Sequence, residues 1–176
     1  IRDANAAADV VSRVRALFSQ AAEPRHRASI GDLIADVGRL LADRMSQARI
    51  EMTAQVAPDL PAIPFDVVQI QQVLVNLMRN AIDAMDGQVA RPRLEIRAGR
   101  QGDMVQVQVS DNGPGIAEAG KVFDAFFTTK PSGMGMGLAI CRSIVESHGG
   151  RLWVEPGDGG GATFAFTLPI EAPPSS

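Results

Sequence analysis

The sequence predicts an α+β sandwich in which helices cover one face of a sheet. Long segments repeat apolar residues every three to four positions, and shorter segments alternate apolar with polar residues. Along the chain these segments give helix, strand, helix, strand pair, loop, helix and strand pair, an order typical of two-layer domains. At 176 residues the chain has the size of about one domain.

The helices are predicted from apolar periodicity. Residues 1–22 carry one apolar stripe, and a second helix is expected from Leu33 to Met45 with Asp32 as its N-cap. The strongest pattern, with a period near 3.6, runs from Phe65 to Met85. Met136–His148 is predicted to be the last helix.

Alternation predicts the strands, and prolines predict a loop. Pro58, Pro61 and Pro64 indicate a stiff loop before the longest helix. The expected strands are Arg49–Val56, Arg93–Ala98, Met104–Ser110, Leu152–Glu155 and Ala162–Leu168.

Composition narrows the class of protein. A net charge of -3 gives no basic footprint for nucleic acid. Cys141 is the lone cysteine, so no internal disulfide can form, and this fits a reducing cytoplasm. No uncharged apolar run approaches the roughly 18 to 20 residues of a membrane span. We therefore expect a soluble, cytoplasmic domain with no membrane contact.

Two asparagines mark the longest predicted helix. Asn76 and Asn80 are four residues apart, so their amides share one helix face. Amide oxygens suit Mg²⁺ when substrate phosphates supply most of the negative charge. Taken alone, the pair also fits two ordinary surface amides.

An acid and two glycines follow a predicted strand. Asp111 stands at the strand end, where a carboxylate can accept a hydrogen bond from an adenine amine. Gly113 and Gly115 would let a ring approach the backbone. A plain turn is the competing interpretation of Asp-Asn-Gly.

A second glycine cluster precedes the last helix. Backbone N–H groups around Gly133, Gly135 and Gly137 could bind phosphate at the helix N-terminus, although a flexible connector would look similar. Upstream, residues 128–130 add two hydroxyls and a lysine that either reach a terminal phosphate or are simply solvated. Gly115–Val122 resembles a P-loop, but Val122 replaces the required Ser or Thr.

These elements, in this order, resemble the GHKL superfamily, in particular the catalytic and ATP-binding domain of bacterial sensor histidine kinases. The residues of these elements are most similar to those of nitrogen-regulation and oxygen-sensing kinases. Gln72–Ala81 is similar to the N box, and Asp111–Gly115 to the first glycine box. Phe123–Lys130 resembles the F box, and Gly133–Leu138 the second glycine box.

The resemblance implies a Bergerat fold with a mixed, mostly antiparallel sheet, which binds ATP and Mg²⁺ under a lid of residues 116–134. It implies catalytic roles for Asn76 and Lys130, with Asn76 as the metal ligand. The implied nucleotide-binding residues are Asn76, Asn80, Asp111, Gly113, Gly115, Ile116, Thr128, Thr129, Lys130, Gly133, Gly135, Met136, Gly137 and Leu138.

The resemblance also implies partners and domain boundaries. Residues 1–28 would be the end of a dimerisation helix with its linker, 29–171 the ATP-binding domain, and 172–176 a disordered tail. The phosphoacceptor histidine is expected on a separate domain, upstream of a response regulator, so the chain is interpreted as a monomeric or weakly dimeric fragment. Neither His26 nor His148 is expected to be phosphorylated, and His148 is interpreted as a cation at a helix C-terminus.

Gln72 bears on the type of reaction. Related hydrolases carry a glutamate there, and glutamine cannot act as the general base for water attack. This favours transfer of the γ-phosphoryl group to another nucleophile. The alternatives are a serine kinase of the anti-sigma type and a non-catalytic module that responds to ATP.

Overall fold

The computed structural model describes residues 25–117, 119–124 and 137–172. The helix predicted over residues 1–22, most of the expected lid and the end of the tail lie outside this part of the chain. The helices are α1 (Ile30–Leu40), α2 (Ala42–Gln47), α3 (Val67–Met85) and α4 (Gly137–Ser147). The strands are β1 (Arg27–Ala28), β2 (Glu51–Val56), β3 (Ile63–Pro64), β4 (Arg93–Gln101), β5 (Met104–Asp111), β6 (Leu152–Pro156) and β7 (Ala162–Pro169).

Five of the strands form one mixed sheet in the order β2-β4-β5-β7-β6. Only β2 and β4 run parallel, and the other neighbours are antiparallel. The predicted α+β sandwich with a mostly antiparallel sheet is therefore confirmed. β5 is the central strand of the sheet. Its last residue, Asp111, therefore lies in the interior of the domain and not at an edge of the sheet.

The sheet has one apolar face, and the helices cover it. Along β5 buried and half-buried residues alternate, so the strand's valines face the core and its glutamines face the opposite side. β4 and β7 continue the apolar face with Leu94, Ile96, Phe164, Phe166 and Leu168. α3 contributes nine buried residues to the layer above it. Burial of these side chains is the main stabilising contribution to the fold.

The second predicted helix is two helices. Its N-cap is Ser29, whose Oγ accepts a hydrogen bond from the backbone N–H of Asp32 at 3.2 Å, so the predicted N-cap role of Asp32 was wrong. Asp32 lies in the first turn, where an acid favours the helix dipole. The helix stops at Leu41 and resumes as α2. Because Leu41 and Met45 are both buried, the apolar stripe continues across the break.

The proline-rich segment is not only a loop. β3 lies within it and pairs antiparallel with β1. The backbone N–H of Phe65 also donates to the carbonyl oxygen of His26 at 3.4 Å. This small sheet ties the start of the described chain to the beginning of α3.

The longest helix follows the prediction closely. Asp66 is its N-cap, with Oδ1 accepting from the backbone N–H of Gln69 at 3.0 Å. The next hairpin is longer than expected, because β4 extends to Gln101 and the turn is confined to Gly102 and Asp103. Gly102 has φ +63°, which only glycine adopts readily.

Among the described helices, none is both long enough and apolar enough to cross a membrane.

Candidate functional site

Asp111 places a desolvated carboxylate at the end of the central strand. The residue is 8% exposed, and alternation along β5 directs its side chain to the helical side of the sheet. Oδ1 accepts a hydrogen bond from the backbone N–H of Gly113 at 2.9 Å. Burial raises the pKa of Asp111, while the backbone N–H groups of Gly113 and Ala162 oppose that rise. The site therefore holds an oriented acceptor in a poorly hydrated position.

The backbone around this carboxylate is so close that only glycine fits. A Cβ on Gly161 would lie 1.9 Å from the carbonyl oxygen of Asp111 and 2.9 Å from its Oδ1. A Cβ on Gly113 would lie 3.0 Å from the same Oδ1 and 3.4 Å from Cγ of Met85. Gly115 has φ +85° and approaches the carbonyl oxygen of Gly161. These are contacts between protein atoms, so the predicted approach of a ring to Gly113 and Gly115 stays a prediction.

Gly161 was missed in the sequence, although it belongs to a run of three glycines in the β6–β7 hairpin. Such a run is typical of a hairpin turn, and nothing local indicates that its last member packs against Asp111, which is far away along the chain.

A partly buried pair of hydroxyl groups next to Asp111 was also missed. Ser110 and Thr163 are opposite each other on β5 and β7, with their hydroxyl oxygens 2.8 Å apart. Thr163 is 7% exposed. This pair joins β5 to β7 directly beside Asp111.

Asn76 lies on the opposite wall of the site, formed by α3 and α4. Its side chain is 9% exposed, and its Nδ2 donates a hydrogen bond to Sγ of Cys141 at 3.5 Å. Earlier on α3, the N-cap Asp66 contacts His148, which directly follows α4. Residues later in α3 thus contact residues earlier in α4, so the two helices are antiparallel.

The antiparallel arrangement brings the two asparagines of α3 close to the N-terminus of α4, where the second glycine box ends. One turn beyond Asn76 lies Asn80, and one turn before Cys141 lies Gly137, the first residue of α4. Asn80 and Gly137 are both half-buried. Leu138 packs against the core and anchors the N-terminus of α4. The structure therefore brings Asn76 and Asn80 to the same region as the end of the second glycine box.

The same face of α3 leads to Asp111. Ala84 is two turns beyond Asn76, and its carbonyl oxygen lies 3.5 Å from the position of a Cβ on Gly113. At 1.5 Å per residue, the eight residues from Asn76 to Ala84 span about 12 Å along the helix. One helix face thus connects the amides to the carboxylate.

The described start of the expected lid is held by aromatic packing. The ring of Phe123 meets Phe164 edge to face, with centroids 6.2 Å apart. The guanidinium of Arg142 on α4 lies 5.8 Å from the centre of the Phe123 ring. Val122 is buried and Ile116 is 36% exposed. Val122 therefore belongs to the core.

Six predicted site residues lie outside the described residues, so their positions stay predictions: Thr128, Thr129, Lys130, Gly133, Gly135 and Met136.

The interpretation of His148 as a cation at a helix C-terminus was wrong. The side chain is buried, its Nε2 accepts from the backbone N–H of Asp66 at 3.1 Å, and its Nδ1 lies 2.8 Å from the carbonyl oxygen of Ile144. A ring that accepts at Nε2 and donates at Nδ1 is neutral. Burial is the largest influence on the pKa of His148 and lowers it; the charge of Arg25 adds to this, and the Ile144 carbonyl and Asp66 oppose it. The residue joins α4 to the start of α3.

A magnesium ion fits the site only if a bound phosphate compound supplies some of the coordinating oxygens. In the described part of the chain, no group of three or more His, Cys, Asp or Glu side chains could hold a metal by itself. Mg²⁺ commonly takes one or two protein oxygens and completes its shell with phosphate and water. The Asn76 amide suits that arrangement, and the glycine-lined Asp111 suits a flat amine-bearing base.

The fold and site define the class to which the chain belongs. Residues 65–172 match the family of histidine kinase-, DNA gyrase B-, and HSP90-like ATPases, and the chain is a member of that family. This confirms the family that the four sequence boxes predicted.

Within the family, the chain is similar to sensor kinases. It is 39% identical over 165 residues to sensor protein FixL of Bradyrhizobium diazoefficiens, which covers 93% of this chain and 33% of that protein. It is 37% identical over 175 residues to sensor histidine kinase TmoS of Ectopseudomonas mendocina, with 97% and 18% covered. The chain thus spans a third or less of the length of these two relatives.

Solved structures give the same picture. The catalytic domain of histidine kinase ThkA superposes with a TM-score of 0.75 at 31% identity, covering 85% of this chain and 97% of that one. Full-length ShkA in complex with AMPPNP gives a TM-score of 0.80 at 29% identity, covering 95% of this chain and 35% of that one.

Proposed function

We propose that this chain binds ATP with Mg²⁺ and donates the γ-phosphoryl group to a histidine on a separate dimerisation domain of the same parent protein. Residues 29–171 would form the ATP-binding unit, and a response regulator would receive the phosphoryl group afterwards. The observation that carries the proposal is the buried Asp111 carboxylate, enclosed by glycine and joined by one face of α3 to Asn76 and Asn80.

The adenine end of the nucleotide belongs at Asp111. Its carboxylate can accept a hydrogen bond from the exocyclic amine, and burial strengthens that interaction because competing water is excluded. Gly113 and Gly161 pack directly against the carboxylate and hold it in place for that hydrogen bond. Guanine presents a carbonyl oxygen where adenine has its amine, so the same carboxylate selects against guanine.

The phosphate end belongs at Asn76, Asn80 and the N-terminus of α4. Backbone N–H groups and the dipole at that terminus favour anions. Asn76 would hold Mg²⁺, which neutralises phosphate charge when it is bound. The amide of Asn80, one turn along, would contact the phosphates, and Lys130 and the glycines at 133 and 135 would complete this end.

The transfer step needs positioning more than acid–base chemistry. A lone pair on the acceptor imidazole forms the new P–N bond while the bond from the γ-phosphorus to the bridging oxygen breaks, and ADP leaves with that electron pair. Gln72, one turn before Asn76, is half-buried and cannot activate water as a carboxylate would. These features support transfer over hydrolysis.

Support for the partners comes from relatives. Sensor kinases such as FixL and TmoS are much longer than this chain, which leaves room for an acceptor domain elsewhere in such a protein. ThkA has been solved in complex with the response regulator TrrA, at a TM-score of 0.76 and 28% identity to this chain. An acceptor domain and a response regulator are the corresponding partners here, in a cytoplasmic setting.

The test is phosphoryl transfer between separate proteins. The chain is incubated with γ-labelled ATP, Mg²⁺ and the parent protein's dimerisation domain, and label on a histidine of that domain is expected. Label on serine would indicate the anti-sigma type of kinase. Nucleotide binding without any transfer would indicate an ATP-responsive binding module, and either result would overturn the proposal.

A further inference from the structure

Cys141 stands in direct contact with the amide that the proposed function assigns to magnesium. Its side chain is fully buried on α4, and Nδ2 of Asn76 donates to its Sγ at 3.5 Å. The Sγ also lies 4.0 Å from the carbonyl oxygen of Val73, to which it donates. The thiol thus faces α3 at the level of the proposed metal ligand.

These two contacts give the thiol a direction. When the S–H group points to the Val73 carbonyl, a sulfur lone pair remains for the Asn76 N–H. An amide that donates through Nδ2 toward α4 must turn its Oδ1 to the opposite edge. Since only the oxygen can bind a hard cation, the sulfur decides whether Asn76 presents a ligand or a repelling N–H group to Mg²⁺.

We propose that Cys141 is a positioning residue for magnesium, which holds the Asn76 amide with its oxygen toward the metal. This inference rests on the proposed function. Groups that orient metal ligands commonly change metal affinity or activity about 10- to 100-fold when they are removed. Because sulfur is a weak acceptor, the lower end of that range, about tenfold, is expected here.

The variants separate orientation from packing. Cys141→Ala removes the acceptor and leaves a small void, whereas Cys141→Val removes the acceptor and keeps the space filled. Cys141→Ser restores a group that both donates and accepts. Ile144→Val, one turn along α4, is the matched control because Ile144 is equally buried and its side chain makes no hydrogen bond.

The measurement is the gain in affinity that Mg²⁺ gives. A non-hydrolysable ATP analogue displaces a fluorescent nucleotide from each variant, once with Mg²⁺ and once with EDTA, and thermal unfolding is recorded in parallel. In Cys141→Ala and Cys141→Val, the ratio of the affinity with Mg²⁺ to the affinity with EDTA is expected to be about tenfold lower than in wild type, while the affinity with EDTA is unchanged. Cys141→Ser and Ile144→Val should keep the gain of the wild type.

Two results would overturn the inference. Equal magnesium gains in all variants would mean that the thiol is only a packing group. Equal losses with Mg²⁺ and with EDTA, in step with lost stability, would mean a general distortion of the site. If Cys141→Ala does not fold, Cys141→Val decides the question. Failure of the wild type to bind the analogue at all would refute the proposed function itself, and this inference with it.

Discussion

The ionised carboxylate of Asp111 opposes folding, because burial favours its protonated form. Its folded-state pKa is raised above 3.8, so folding favours the protonated carboxyl. The stabilising contribution is complete below about pH 3.8 and is lost as the pH rises through the folded-state pKa. At neutral pH the buried charge is therefore retained at a cost in stability, which suits a group that awaits a hydrogen-bond donor.

This sign gives a pH-dependent prediction. As the pH rises from about 4 to 7, wild type should lose free energy of unfolding relative to Asp111→Asn, because only the wild-type side chain ionises there. Chemical denaturation at a series of pH values measures it, with the exposed Asp59→Asn as control. A difference that stays constant, or rises with pH, would contradict the desolvated carboxylate.

The glycine next to Asp111 gives a steric prediction at the same scale. Gly161→Ala should destabilise the fold by more than about 2 kcal/mol, since it combines a left-handed φ with a Cβ in contact with the Asp111 backbone. Gly159 is the matched control, because its φ is +81° and its Cβ would meet open space.

Gly159→Ala should cost only the backbone strain, about 1 kcal/mol. Thermal and urea unfolding of both variants compare them directly. Equal losses would show that the close approach of Gly161 to Asp111 does not matter for stability.

At this scale the sequence indicated candidate site residues but not the residues that surround them. Asp111, Asn76 and Asn80 could be predicted because a carboxylate at a strand end and amides one turn apart are local patterns. The contacts of Cys141 and Gly161 could not, because each joins residues far apart in the chain, and only packing brings them together.

At the scale of elements, the wall of the site is the antiparallel pair α3 and α4. Asn76 contacts Cys141 within the pair, and His148 closes one end of it by accepting from the backbone N–H of Asp66. The guanidinium of Arg25 also donates to the carbonyl oxygen of Ser147 at 2.7 Å, so the start of the described chain meets this end as well. The far end of the pair faces the proposed phosphates.

Protonation of His148 should loosen this pair. Its folded-state pKa is below 6.5, so its stabilising contribution is complete above that value and is lost as the pH falls through the folded-state pKa. Gln at this position can accept from the same N–H group without titrating. Wild type should therefore lose stability relative to His148→Gln as the pH falls from about 7 to 5, by at most about 2 kcal/mol for the one proton that is taken up.

The measurement is urea unfolding across that range, with His26→Gln as control because His26 is exposed. Parallel profiles for wild type and His148→Gln would show that the imidazole is not held neutral.

Helices and strands were predicted well where an apolar repeat continues over many residues. They were predicted poorly where they form only because they pair with a distant part of the chain. α3 has 19 residues, and its repeated apolar stripe made it unmistakable. β1 and β3 have two residues each, too few to show alternation, and they exist because they pair with each other. The break at Leu41 leaves the apolar stripe unchanged, so periodicity could not reveal it.

At the scale of the whole molecule, nucleotide binding and folding are linked. A ligand that binds only the folded chain raises the free energy of unfolding by about 2.7 kcal/mol at a hundred times its Kd. Thermal unfolding with Mg²⁺ and a non-hydrolysable ATP analogue should show this shift, and a GTP analogue at the same concentration should not. Equal shifts with both nucleotides would remove the proposed base selection by Asp111.

The association state is a separate property of the whole chain. Because residues 1–28 are expected to hold only the end of a dimerisation helix with its linker, we expect a monomer or a weak dimer. Sedimentation at low micromolar concentration measures this, and a tight dimer would contradict it.

The central claim is that Asp111 and Asn76 mark the two ends of one ATP site. Calorimetric titration of a non-hydrolysable ATP analogue, with and without Mg²⁺, into wild type, Asp111→Asn and Asn76→Asp tests it most directly. The site predicts binding by wild type, a loss of about 1.5 to 3 kcal/mol or more in Asp111→Asn, and altered magnesium dependence in Asn76→Asp. Equal binding by all three proteins, or none by wild type, would contradict it.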